Sequence, residues 1–93
     1  MKTKIAFTAH LFQEENQIVA YCPEFNVSSF GNTPDEARSS LEEAVSLFVE
    51  ECQCLGTLEE VLEECGYRLP IKPGERLVPP SLISTEELEV AIA

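Results

Sequence analysis

Residues 4–12 alternate in character, with Ile5, Phe7, Ala9 and Leu11 on one side and Lys4, Ala6, Thr8, His10 and Phe12 on the other. A period of two sends successive side chains to opposite faces, so this stretch predicts a strand. Ile18-Val19-Ala20-Tyr21-Cys22 predicts a second, rich in β-branched and aromatic residues. The link Glu14-Glu15-Asn16 is short and polar, with Asn16 suited to positive φ, and predicts an antiparallel hairpin. Pro23 lacks an N–H and ends the second strand or puts it at an edge. Val27-Ser28-Ser29-Phe30 reads as a third short strand before a Gly31-Asn32 turn.

After Thr33 the period becomes helical. Thr33-Pro34-Asp35-Glu36 predicts a capping box, with Pro34 at the first helical position and two acids at the positive end of the dipole. Ala37, Leu41, Ala44, Val45, Phe48, Cys52 and Leu55 then lie within roughly 50° of one line, predicting a helix to about Cys54. Glu36, Glu43 and Glu50 lie opposite, and Leu47 falls outside the stripe. Gly56 breaks the helix. Thr57, with Glu60 at the box position, predicts the cap of a second helix whose Leu58, Val61, Leu62 and Cys65 face inward. Glu59, Glu60, Glu63 and Glu64 take its other face, and Gly66 closes it.

Pro70, Pro73-Gly74 and Pro79-Pro80 break residues 67–81 into turns and extended pieces. Glu87 to Ala93 alternates again, with Leu88, Val90 and Ile92 on one side, and predicts a final strand; Ser84-Thr85-Glu86-Glu87 offers a rival helix cap. The expected architecture is α+β: a three- to four-stranded, mainly antiparallel sheet with one long helix on a face and a short second helix. Residues 1–66 form the core region, and 67–93 a proline-broken tail of the same domain.

Charge adds direction to this picture. Ninety-three residues with 17 acidic and 6 basic side chains give a net charge of -11, in one domain's length. Residues 1–13 carry +2 from Lys2 and Lys4, residues 14–66 carry -12 with Arg38 their single base, and residues 67–93 carry -1. The acid therefore belongs to the helices and their preceding loops. It argues against binding a phosphate backbone or an anionic membrane, and it favours a basic partner. No run of eighteen apolar residues and no signal-peptide core is present, so a cytoplasmic location with reduced thiols is expected for Cys22, Cys52, Cys54 and Cys65.

Candidate chemistry is sparse. The strands hold no carboxylates of the kind a two-metal nuclease converges on its ions. His10 is the single histidine and reads as a sheet-face residue. Cys52 and Cys54 project about 200° apart on a helix and cannot grip one metal together. Cys52 and Cys65 read as core, and Cys54 as exposed. No catalytic residue, metal or cofactor is assigned. Tyr21, Phe12 and Phe30 lie on a sheet face and read as core packing or an interface between sheets. If the helix covers one sheet face, the second needs polar residues or a partner, and Ala6, Thr8 and His10 give a mixed face of that kind.

Val19-Ala20-Tyr21-Cys22-Pro23-Glu24, followed by Val27 to Ala37 with its Gly31-Asn32-Thr33-Pro34-Asp35-Glu36-Ala37 and then by Leu41-Glu42-Glu43-Ala44, resembles the HicB-like antitoxin family. The similarity covers about Lys4 to Gly66. Phe25-Asn26 stands where many members have Pro-Gly, and residues 67–93 hold no counterpart of the DNA-binding domain of full-length antitoxins. The resemblance implies a partial ribonuclease-H-like fold: three antiparallel strands, a helix and a further strand. It also implies an interaction protein, not an enzyme, that binds and neutralises a small basic, RNA-cleaving HicA-type toxin. The acidic residues Glu36, Glu43, Glu50, Glu59, Glu60, Glu63 and Glu64 are the candidate contacts, inferred from their place on the helices. A homo-oligomer is expected. The alternatives are an orphan, self-associating HicB-like domain without a toxin and a metal-dependent nuclease.

Overall fold

In the computed structural model, which describes residues 2–93, the chain forms β1 (Lys4–Ile5), β2 (His10–Glu14), β3 (Gln17–Cys22), β4 (Val27–Gly31), α1 (Pro34–Leu55), α2 (Leu58–Glu64) and β5 (Arg76–Leu77). Met1, the first residue of the predicted core region, lies outside the described residues. β2, β3 and β4 make an antiparallel sheet in that order, with Phe12 opposite Val19 and Val19 opposite Phe30. β1 pairs in parallel with β5. The class is α+β, a three-stranded antiparallel sheet with two helices.

α1 is placed by the junction that precedes it. The Thr33 hydroxyl accepts from the Glu36 N–H at 3.1 Å, and Pro34 opens the first turn. The helix then buries Ala37, Leu41, Val45 and Cys52. Ala20 and Cys22 of β3 belong to the same core. α2 adds Leu62, and the chain beyond it adds Tyr67 and Leu77, so residues 67–77 are built into the core. Phe25 stacks on Tyr67 at 5.7 Å and leans on Phe48 at 5.6 Å, joining the β3–β4 turn to α1 and to the segment after α2.

Several expectations need correction. The strand predicted over 4–12 is two strands, interrupted where the Thr8 N–H and hydroxyl turn to the Glu24 carboxylate at 2.9 and 2.7 Å. Positive φ in the first hairpin is taken by Glu15, whose carbonyl accepts from the Gln13 amide at 2.9 Å; Asn16 does not take it. The capping box is shifted by one residue: the Glu36 carboxylate accepts from the Asn32 N–H at 3.2 Å rather than reaching Thr33. Thr57 makes no side-chain cap bond to α2. The left-handed turn at Gly56 carries its hydroxyl back over the end of α1, within 3.4 Å of the Cys52 carbonyl.

Leu55, predicted on the core stripe, is exposed. A helix of 22 residues is roughly 33 Å long, whereas strands of five or six residues span roughly 17–20 Å, so its last turn outruns the sheet. The predicted final strand over 87–93 does not form, nor does its helical rival. The Ser84 hydroxyl bonds the Glu86 carboxylate instead of capping a turn. Alternation gives a strand two faces but no partner, and no neighbour pairs with this segment. The added strand is β5, at Arg76–Leu77.

Gly31 fixes the distance between β4 and α1. A Cβ there would meet the Ala37 nitrogen at 2.6 Å and the Glu36 carbonyl carbon at 2.8 Å, both backbone atoms that cannot swing aside. Gly31→Ala should therefore destabilise the fold by about 1–3 kcal/mol through overpacking. Gly56→Ala meets nothing within 4 Å and bears only the strain of its φ of 74°, about 1–2 kcal/mol. Urea unfolding of the two variants against wild type measures both.

Candidate functional site

The face of the β2–β3–β4 sheet turned away from α1 is built from alternate residues of each strand. In register, His10 lies opposite Tyr21 and Tyr21 opposite Ser28, while Phe12, Val19 and Phe30 form the next row. Phe12 is 51% exposed and Phe30 64%, and Val19 between them is half-buried. Glu14, at the hairpin end, is the one charged residue in this set. A chain of net charge -11 thus presents an almost uncharged surface with two exposed aromatic rings on this face.

The seven acids predicted as partner contacts, Glu36, Glu43, Glu50, Glu59, Glu60, Glu63 and Glu64, are all exposed. Glu36, Glu43 and Glu50 lie on α1, which covers the opposite side of the sheet, so the structure does not bring them to the aromatic face. Glu36 is engaged at the helix start by the Asn32 N–H. The single ion pair among the described residues joins Arg38 to Asp35 on the surface of α1. The remaining acids create a negative field with little local compensation, able to steer a basic molecule from a distance.

Behind the aromatic face lies a polar knot that sequence reasoning missed. Glu24, in the β3–β4 turn, accepts from the Thr8 N–H and hydroxyl and from the Cys22 thiol at 3.5 Å. Burial pushes its carboxyl up, but the bonds from Thr8 outweigh this and hold it below the usual glutamate range. The Tyr67 hydroxyl donates to the Ala6 carbonyl at 2.6 Å; burial first, and then Glu24, push it well above the ordinary tyrosine value. The signal for Glu24 was present in Cys22-Pro23-Glu24, an acid directly after the proline that ends a strand. Nothing in the sequence indicated that it reaches sixteen residues back to Thr8.

The knot is structural in its chemistry. Burial pushes the Cys22 and Cys65 thiols up, which keeps them protonated at neutral pH. All four cysteines are free, with Cys22 and Cys52 buried and Cys54 exposed. His10 is exposed at the edge of the aromatic face. Among the described residues no three His, Cys, Asp or Glu side chains converge as a metal site. None of their helices is long and apolar enough to cross a membrane.

Glu24→Gln removes the charge that Thr8 holds, at a cost of about 1–2 kcal/mol after allowance for its partial exposure. Because the folded-state pKa is depressed, this stabilisation is present above the ordinary glutamate value of about 4.3 and is lost as pH falls through the folded value. The stability gap between wild type and Glu24→Gln should therefore narrow below about pH 4, as followed by chemical unfolding across pH. Alkylation at neutral pH, mapped by peptide mass, should modify Cys54 first and Cys22 last. Compared with family models, curated proteins and solved structures, the chain finds no match in any of the three.

Proposed function

We propose that the chain is a HicB-like antitoxin, an interaction protein that binds and neutralises a small basic, RNA-cleaving toxin of the HicA type. The observation that carries this reading is the pairing of an acidic helical layer with an exposed, nearly uncharged aromatic sheet face. A small basic domain is complementary to both: the field draws it in, and Phe12 and Phe30 supply anchors that exclude water at contact. Neutralisation follows from occlusion, since a toxin surface that must meet an RNA backbone is basic and would lie against this chain instead.

Several residues that carry the resemblance have identifiable structural roles, which supports this reading. Gly31 and Ala37 allow the close approach of β4 to α1, and Thr33 caps the helix. The acid of Cys22-Pro23-Glu24 makes the Thr8 knot. Asn26, standing where many members have glycine, adopts φ 55°, the left-handed conformation glycine favours, and its side chain accepts from the Tyr21 hydroxyl at 2.9 Å. The parallel β1–β5 pair beside three antiparallel strands supports a partial ribonuclease-H-like fold with its further strand at Arg76–Leu77.

An orphan, self-associating domain of the same family is the second reading, favoured by the exposed apolar tail. For a metal-dependent nuclease, no group of carboxylates converges among the described residues to support it.

The test is co-expression with a small basic HicA-type protein, followed by titration of the purified pair and an RNA-cleavage assay. Wild type should bind and suppress cleavage. Phe12→Ala with Phe30→Ala should weaken binding about 100-fold, as loss of two anchors does. Glu43→Lys with Glu50→Lys should mainly slow association and flatten its salt dependence. Undiminished RNA cleavage in the presence of excess wild-type chain would overturn the reading.

A further inference from the structure

β2 forms one edge of the β2–β3–β4 sheet. The short link Glu15-Asn16 makes Glu14 and Gln17 a hydrogen-bonded pair, so by alternation Phe12 with Val19 and His10 with Tyr21 exchange bonds as well. The N–H and C=O groups of Leu11 and Gln13 therefore point out of the sheet. Among the described residues no turn or cap takes them, and Gln13 bonds the Glu15 and Gln17 carbonyls through its side-chain amide. The chain does not cover this edge itself. Carried past Leu77, the parallel register of β1 and β5 would bring residues 82–86 alongside β2, but Pro79 and Pro80 offer no N–H and residues 81–93 form no strand. β2 also holds no lysine or proline of the kind that blunts an edge.

This edge is complementary to itself. Set antiparallel to a second copy about a two-fold axis at Phe12, Leu11 lies opposite Gln13 of the other copy, and their outward groups exchange both bonds of each pair. Phe12 meets Phe12 in a non-hydrogen-bonded pair, where side chains come closest. His10 lies opposite Glu14 on both sides of the axis, and an imidazole N–H donates to a carboxylate. The β4 edge has no such match: about Ser29 it would set Val27 opposite Gly31 and Ser28 opposite Phe30. α1 packs on β4 and β3, so pairing there would bring two acidic helices together. Pairing through β2 leaves them roughly four strand spacings, about 19 Å, apart, beyond the Debye length of about 8 Å at physiological salt. The groove of about 770 Å³ between residues 3–9 and α1 offers no comparable match. Above a floor that includes Val45 and Val49, its walls set Arg38 and Arg76 against Glu42 and Glu50, and this mixed charge singles out no occupant.

We propose that two copies of this chain join edge to edge through β2, antiparallel about Phe12, in one sheet with three strands from each copy. The interface is isologous, so each contact is made twice and the dimer closes. It is also small, so the dimer is weak and forms with rising concentration. Its central pair, Phe12 with Phe12, is flanked on the same face by the two pairs of His10 with Glu14. The pairing does not depend on the toxin reading.

The experiment uses the full chain. Sedimentation from about 10 μM to about 1 mM should show the mass rising from 10.3 kDa toward twice that value. Gln13→Pro removes an outward N–H where an edge strand tolerates proline, and should raise the dissociation constant about tenfold or more. Gln13→Ala loses the same side-chain bonds but keeps the N–H, and should dimerise as wild type does. His10→Glu sets acid opposite acid and should weaken the dimer about tenfold. Adding Glu14→Lys should restore it, and the pair should bind more tightly than Glu14→Lys alone, the reverse of what net charge by itself would produce. Within one chain the two positions are about 13 Å apart along β2, so the rescue reports contact between copies. With the exposed Cys54 changed to serine, Phe12→Cys should oxidise to a disulfide-linked dimer, because the Cα atoms of such a pair are about 4.5 Å apart, and Phe30→Cys should not. If circular dichroism shows that Gln13→Pro unfolds, the charge swap and the cysteine pair decide. A monomer throughout the range, a failed rescue, a dimer indifferent to a folded Gln13→Pro, or equal crosslinking at positions 12 and 30 overturns the proposal.

Discussion

The carboxylate of Glu24 is the point on which the rest of the arrangement turns. It accepts the N–H and hydroxyl of Thr8 and the thiol of Cys22, and so ties the β3–β4 turn to a residue that would otherwise continue the first strand. A strand residue whose N–H is bonded to a side chain is withdrawn from the ladder. The first strand breaks there. Its early part is left to pair with β5, and the Tyr67 hydroxyl takes the Ala6 carbonyl. One acid in a turn thereby joins residues 6–8, the turn itself and the segment after α2. The aromatic stack of Tyr67 on Phe25 closes the same loop through apolar contact.

Two layers follow, with different surfaces. α1 spends its apolar stripe on the sheet and turns its acids outward, where water screens them and a single ion pair offsets them. The sheet spends Ala20 and Cys22 on the helix and turns Phe12, Val19 and Phe30 outward. Neither surface alone specifies a partner. Long-range attraction without anchors gives weak, salt-sensitive encounters, and aromatic anchors without a field bind slowly. The acids lie behind the anchors rather than around them, so their effect falls on association rate more than on contact energy.

The elements with local causes were legible in the sequence. The Thr33-Pro34 cap, the helical stripe through Val45 and the Gly56 stop depend on residues within one or two turns of each other. The hairpin depends on two alternating runs and a short link. What was not legible depends on partners far along the chain. The Thr8–Glu24 bonds span sixteen residues and the Tyr67–Ala6 bond sixty-one. β5 is two residues long, too short for any period to announce it. The segment 87–93 shows the converse failure: its alternation is plain, yet alternation reports only which side chains want cover, not what provides it. Of the candidate site, Phe12, Tyr21 and Phe30 could be named from the sequence as sheet-face residues, but core packing was the expectation, and Phe12 and Phe30 are exposed instead. That the acids occupy the opposite layer required the structure.

The aromatic face and the α1 groove lie on opposite sides of the sheet, because the groove is walled by α1 while Phe12 and Phe30 point away from it. The two surfaces also differ from the rest of the chain in charge: the groove sets Arg38 and Arg76 against Glu42 and Glu50, and the aromatic face carries Glu14 alone. Two copies at -11 each repel at long range, so contact between copies is restricted to such patches of low charge, while a molecule of opposite charge is attracted from any direction.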